Sequence, residues 1–151
     1  MSPSVMIATG VVFLDAVTKT LGWALLPPTG RALLRGVDLR IFVNTHGPFG
    51  IGPWWLALIA SVAVLAVLVS HGTRERRSPF FSLLPSPVPL GLLLGGGLAN
   101  LLERIIFGRT TDLLILGGLT AVNVADLAVG AGLTLLAASF FRTPRGCLWA
   151  S

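Results

Sequence analysis

The sequence predicts an all-α membrane protein of four transmembrane helices with a small extracytoplasmic segment of β-like loop. Three observations carry that prediction. The 151 residues are 54% hydrophobic and 11% charged, with a mean hydropathy of +0.86. Four stretches, near residues 5–26, 54–70, 88–107 and 121–141, are long enough to cross a hydrocarbon core of roughly 30 Å, which takes about 20 residues. The connections between them hold most of the arginines and the turn formers. A chain of this length with one set of spans reads as a single domain, residues 1–151.

The first span has no Lys or Arg ahead of its apolar run, and Asp15 and Lys19 interrupt it, so it is expected to persist as a helix rather than be cleaved as a signal peptide. Asp15 and Lys19 stand at i and i+4 on one face, which suits an internal ion pair or a direct part in chemistry. The first loop, 27–53, contains Val37-Asp38-Leu39-Arg40-Ile41-Phe42-Val43-Asn44. Its alternation puts Val37, Leu39, Ile41 and Val43 on one side of a strand and Asp38, Arg40 and Asn44 on the other, with Phe42 the exception. The apolar side of such a strand can lie on a membrane surface. Residues 44–50 then read as turn-rich backbone around His46, Gly47 and Pro48.

The second span is uncharged and opens on Trp54 and Trp55, whose indoles prefer the interface. Pro85, Pro87 and Pro89 mark the entry to the third, where their missing N–H donors cost little. That span ends Gly95-Gly96-Gly97-Leu98-Ala99-Asn100-Leu101-Leu102-Glu103-Arg104. Its small residues allow a helix or a substrate to approach closely, and Asn100, Glu103 and Arg104 share one face. A short segment, 108–112, and an apolar return, 113–119, lead to the fourth span, which opens Asn123-Val124-Ala125-Asp126.

The net charge of +5 comes from ten Arg and one Lys against six acids, and most of the Arg flank spans and so report topology rather than a nucleic-acid partner. Arg74, Arg76 and Arg77 with Arg142 and Arg145 stand against Arg31, Arg35, Arg40 and Arg109, five to four. The density of the 74–77 cluster favours cytoplasmic termini. One cysteine, Cys147, excludes an internal disulfide, and two histidines on separate loops, His46 and His71, give no metal site. No cofactor or metal is expected.

Four of the six carboxylates, Asp15, Glu103, Asp112 and Asp126, sit in or beside the spans. A charge in hydrocarbon costs at least a few kcal/mol, so such residues mark function and have partners. Asp112 leaves one span and Asp126 enters the next across a short out-and-back connection, which sets them at similar depth. Two close carboxylates share a proton, one serving as base and one as acid, as aspartic proteases require. Other roles stand beside this one. Asp126 can be a helix N-terminal acid stabilised by the dipole, and Glu103 can pair with Arg104 at the helix end.

In order, these residues resemble the lipoprotein signal peptidase (signal peptidase II) family. Asp15-Ala16-Val17-Thr18-Lys19 matches its Asp-x-x-Thr-Lys motif, and residues 44–49 match in part its Asn-x-Gly-Ala-Ala-Phe loop. Ala99-Asn100-Leu101-Leu102-Glu103-Arg104 resembles Gly-Asn-x-x-Asp-Arg, residues 108–112 resemble Gly-x-Val-x-Asp, and residues 123–126 meet Asn-x-Ala-Asp in full. The resemblance implies a membrane-embedded aspartic endopeptidase that cuts signal peptides from diacylglyceryl-modified prolipoproteins before the lipidated Cys. It implies a catalytic pair Asp112 and Asp126, with Asn44, Asn100, Arg104 and Asn123 around the substrate and Asp15 and Lys19 in support. It further implies a monomer in the bacterial cytoplasmic (inner) membrane, with the site facing outward and lipids and lipidated precursors as partners. His46, Gly47 and Pro48 replace Gly-Ala-Ala, Ala99 replaces Gly and Glu103 replaces Asp, departures that touch substrate fit and leave the pair intact. Competing readings are a small proton-coupled transporter subunit, whose acids would form a relay through the membrane's depth, and a catalytically silent paralogue that binds lipopeptides.

Overall fold

The computed structural model of the chain describes residues 2–45, 59 and 87–142. The expected span 54–70 (apart from Ile59), the loop residues His46, Gly47 and Pro48, the arginines at 74, 76 and 77, and Cys147 lie outside the described residues.

Helix α1, Pro3–Leu25, starts at Ser2, whose hydroxyl accepts from the Val5 amide at 3.4 Å, with Pro3 in the first turn where its missing donor is harmless. It stops at Pro27 and Pro28. The buried residues of α1 are Asp15, Lys19 and Gly22, while Val5, Met6, Phe13, Leu14, Leu21 and Leu25 are exposed. This polar-inside, apolar-outside pattern is that of a helix whose outer face meets lipid. Helix α2, Val88–Phe107, ends on Gly108 in the left-handed conformation, whose amide closes the last turn on the Arg104 carbonyl at 2.9 Å. Helix α3 is Val124–Arg142. Both α1 and α2 are long and apolar enough to cross a bilayer, and α3 carries a shorter apolar stretch, Val124–Ser139.

α2 packs between α1 and α3. A Cβ on Gly95 would meet the Ala8 backbone at 2.8 Å, and one on Gly96 would run into the Ala125 carbonyl. Adjacent glycines therefore serve opposite neighbours, the close approach that small residues permit in membranes. Helices thus cover Gly95, Gly96 and Ala99 of the small-residue stretch, while Leu98 is exposed.

The β-like segment is larger than the sequence pattern suggested. β1, Arg31–Leu34, β2, Val37–Asn44, β3, Thr110–Leu116, and β4, Thr120–Val122, form an antiparallel sheet in the order β1-β2-β3-β4. The all-α expectation is thus corrected to helices with a small sheet. The β2 alternation stands: Val37, Leu39, Ile41 and Val43 are half-buried, and Asp38, Arg40 and Phe42 are exposed. Gly117 and Gly118, both at positive φ, turn the apolar return into the β3–β4 hairpin.

Register matters for the site. β2 and β3 pair Leu39 with Leu114 and then Phe42 with Asp112, so β2 carries one extra residue between them. Unbulged, Val43 would fall on the Asp112 side of the sheet. The bulge exchanges the faces and brings Asn44, opposite Thr110, onto the side that carries Asp112.

Candidate active site

Where the three helices meet the sheet, the interior is polar. Asp15, Lys19, Arg104, Thr110, Thr111, Asp112 and Asn123 are all buried, and among the described residues no buried side-chain polar atom lacks a partner. Three elements deliver the two expected carboxylates and the amide beside them. Asp112 comes from β3, Asp126 from the first turn of α3, and Asn100, on α2, lies beside them.

Asn123 is the joint. As N-cap of α3 its Oδ1 accepts from the Asp126 amide at 2.8 Å, and the Asp126 Oδ2 accepts in return from the Asn123 amide at 3.2 Å. This reciprocal capping box holds the Asp126 carboxylate at the positive end of the helix. The Asn123 Nδ2 donates to Asp112 Oδ1 at 2.8 Å and to Asn100 Oδ1 at 3.1 Å, while Asn100 Nδ2 donates to the free oxygen of Asp126, Oδ1, at 2.8 Å. The two carboxylates are thereby tied into one amide network. Asp126 thus stands at the helix terminus, as one reading of it expected, and within the network that holds Asp112.

Asp112 is 2% exposed, and its carboxyl is pushed up to about 6. Burial is the main cause and the charge of Asp126 the next. Hydrogen bonds from Asn123 and Asn44 and the charge of Lys19 pull the other way. Asn44 thus reaches Asp112 from β2, as the bulged register allows. Arg104 lies buried within the field of Asp112, Asp126 and Glu103, with its Nη2 3.5 Å from the Thr110 hydroxyl.

Behind this layer, Lys19 Nζ contacts Asp15 Oδ2 at 2.7 Å and Glu103 Oε2 at 2.6 Å, with Asn100 Oδ1 at 3.5 Å. The Asp15–Lys19 pair is as the i, i+4 spacing suggested. Glu103 takes Lys19 across the helix interface in place of its neighbour Arg104. The eight residues singled out from the sequence, Asp15, Lys19, Asn44, Asn100, Arg104, Asp112, Asn123 and Asp126, therefore converge on one cluster. Glu103, expected as a functional acid or as a partner of Arg104 but given no place among the site residues, joins it together with the Thr111 amide that it accepts from, at 3.0 Å. The i, i+3, i+4 face shared by Asn100, Glu103 and Arg104 was the signal for Glu103; for the amide there was none. The acids form a cluster rather than a file through the bilayer, which suits hydrolysis more than a proton relay. Among the described residues no group of three or more His, Cys, Asp or Glu is arranged to hold a metal ion.

A family model described as signal peptidase (SPase) II matches residues 7–142. The chain is similar to the lipoprotein signal peptidase of Syntrophomonas wolfei, 35% identical over 132 residues, covering 83% of this chain and 84% of the relative. It is also similar to that of Symbiobacterium thermophilum, 32% identical over 147 residues, with 88% and 90% covered. That of Rhodococcus jostii is 34% identical over 141 residues, with 87% and 68% covered. In fold it is similar to a bacterial membrane enzyme solved by the in meso method at 2.3 Å resolution, with a TM-score of 0.79 at 20% identity over 98% of this chain and 93% of the other.

Proposed function

The chain belongs to the signal peptidase II family, and we propose that Asp112 and Asp126 are the catalytic pair with which it acts. It is a membrane peptidase that removes signal peptides from lipoprotein precursors. One observation supports the pair above the rest: Asn123 donates to the buried Asp112 while capping against the half-buried Asp126, so a single residue fixes the two carboxylates relative to each other.

Chemistry follows from one shared proton. The ionised carboxylate takes a proton from water as the water oxygen bonds to the scissile carbonyl carbon. The protonated carboxyl then gives its proton to the departing nitrogen as the C–N bond breaks. The products are a signal peptide with a new carboxylate and a lipoprotein beginning at the lipidated Cys with a free amine. Asn44 and Arg104 are donors beside the pair, suited to peptide carbonyls that lose water on entry. Asn100 and Asn123 hold the pair, and Asp15 and Lys19 support it from α1.

The reading extends to the setting: one domain of 151 residues, a monomer with four spans in the bacterial cytoplasmic membrane, cytoplasmic termini and an outward-facing site. Membrane lipids cover the exposed apolar faces of its helices. The substrate's acyl chains bind from the outer leaflet, each buried methylene contributing roughly 0.8 kcal/mol. The test is cleavage by the purified protein of a lipidated prolipoprotein and of its unlipidated counterpart. The lipidated form is expected to be shortened and the other left nearly intact. Asp112→Asn and Asp126→Asn should each abolish the product. Equal cleavage of both precursors would overturn the lipid requirement, and normal turnover in either variant would overturn the pair.

A further inference from the structure

Lys19 is bracketed by two carboxylates, and each of them reaches one residue short of a proposed catalytic aspartate. Asp15 accepts with Oδ2 from Lys19 at 2.7 Å and with Oδ1 from the Ala125 amide at 3.0 Å, just ahead of Asp126. Glu103 accepts with Oε2 from Lys19 at 2.6 Å and with Oε1 from the Thr111 amide at 3.0 Å, just ahead of Asp112. A single ammonium thus ties together two arms, one from α1 to α3 and one from α2 to β3. We propose that Asp15, Lys19 and Glu103 form a girder that sets the two aspartates against each other through the preceding peptide groups, with Glu103 as the positioning residue for Asp112. This inference rests on the catalytic reading of the pair.

Glu103 is suited to the task by its two acceptors and its length. Both of its neighbours are donors, an ammonium and a backbone N–H, so both terminal atoms must accept. Glutamine offers one acceptor and turns its NH2 on the other donor. Aspartate, which the family motif carries here, keeps both acceptors but is one methylene shorter, so in this chain β3 or Lys19 must move inward to meet it. Its charge matters as well. The charged groups around it are Asp15 and Lys19 on α1, Arg104 on α2, Asp112 on β3 and Asp126 on α3. Removing one negative charge from this set makes full ionisation of the pair less costly.

The experiment is steady-state cleavage of a lipidated precursor across pH by the full-length protein and by Glu103→Gln and Glu103→Asp, with thermal unfolding and active fraction measured for each. Glu103→Gln is expected to lower kcat by about a hundredfold, the scale of a small misplacement of reacting groups, with KM nearly unchanged. It should also move the alkaline limb of the rate profile to lower pH. Glu103→Asp should lower kcat while leaving that limb in place. A purely structural residue would cost folded protein without moving the limb. The girder is overturned if Glu103→Gln keeps the wild-type kcat per folded molecule, or if both variants lose kcat with the limb unmoved. Asp112→Asn run alongside separates the two levels: turnover persisting there would overturn the catalytic reading, whatever Glu103 does.

Discussion

Asp112→Asn is expected to inactivate the protein and stabilise it together. In the folded chain this carboxyl is 2% exposed and titrates at about 6, against 3.8 for an ordinary aspartate. Its folded-state value is raised, so between about pH 4 and 6 the folded protein keeps a proton that the unfolded chain has released. Stability therefore falls as pH rises through that window and is lowest above it. At about 1.4 kcal/mol per unit, the upward shift corresponds to at most roughly 3 kcal/mol withheld from stability at pH 8, and less in so far as Asp126 shares the titration. An amide carries no charge to desolvate, and its carbonyl can still accept from Asn123. The variant should melt above the wild type at pH 8 in detergent, and the gap should close towards pH 4. Cleavage of a lipidated precursor should be absent at every pH. A variant less stable than wild type at pH 8, or a gap that ignores pH, would show that the cost of this buried charge has been misjudged.

Asn123→Ala removes both the helix cap and the donor to Asp112, and is expected to cost about 1 kcal/mol for the cap and most of the activity. Asn123→Asp keeps the cap but sets a third carboxylate against Asp112, and should cost stability as well as turnover, the more so as pH rises; normal turnover would remove Asn123 from the site. Arg104→Ala and Asn44→Ala should reduce cleavage more than folding, checked by rate per folded molecule; unchanged rates would make both residues structural. For topology, a cysteine at Thr73 in a Cys147→Ser background should resist an impermeant thiol reagent added outside intact cells. Labelling there would invert the orientation.

The helices were legible because their signal is long and redundant. Twenty or so apolar residues cannot be much else, and Asp15, Lys19, Asn100 and Arg104 announce themselves as charges or amides where hydrocarbon is expected. The sheet was legible only at β2, where eight residues alternate. β1 has four residues and no period, and β4 has three, too few for any pattern to stand out. β3 reads Thr-Thr-Asp-Leu-Leu-Ile-Leu, a run that passes equally for a helix end. Its strand identity comes from pairing with β2, some 70 residues earlier in the chain, and from the glycine pair that follows it. The site split along the same line. Spacing along one helix gave Asn100 with Arg104 and Asn123 with Asp126. The bonds from Glu103 to Thr111 and from Asp15 to Ala125 depend on where three helices and a strand meet.

Charge balance bears on how so polar an interior exists beneath an apolar surface, and on the proton that the proposed pair would share. The cluster has two cations, Lys19 and Arg104, and four acids, Asp15, Glu103, Asp112 and Asp126. Lys19 is claimed by Asp15 and Glu103 at hydrogen-bonding distance, which leaves Arg104 and neutral amides to face the remaining two. Amides orient a carboxylate but cancel no charge. Full ionisation would leave the cluster two negative charges in excess within a region of low dielectric, where uncompensated charge is most costly. Retaining one proton halves that excess, and burial together with the charge of Asp126 makes Asp112 a place for it. Under the proposed reading of Asp112 and Asp126, one retained proton makes one of them the acid and leaves the other the base, the state that peptide hydrolysis needs.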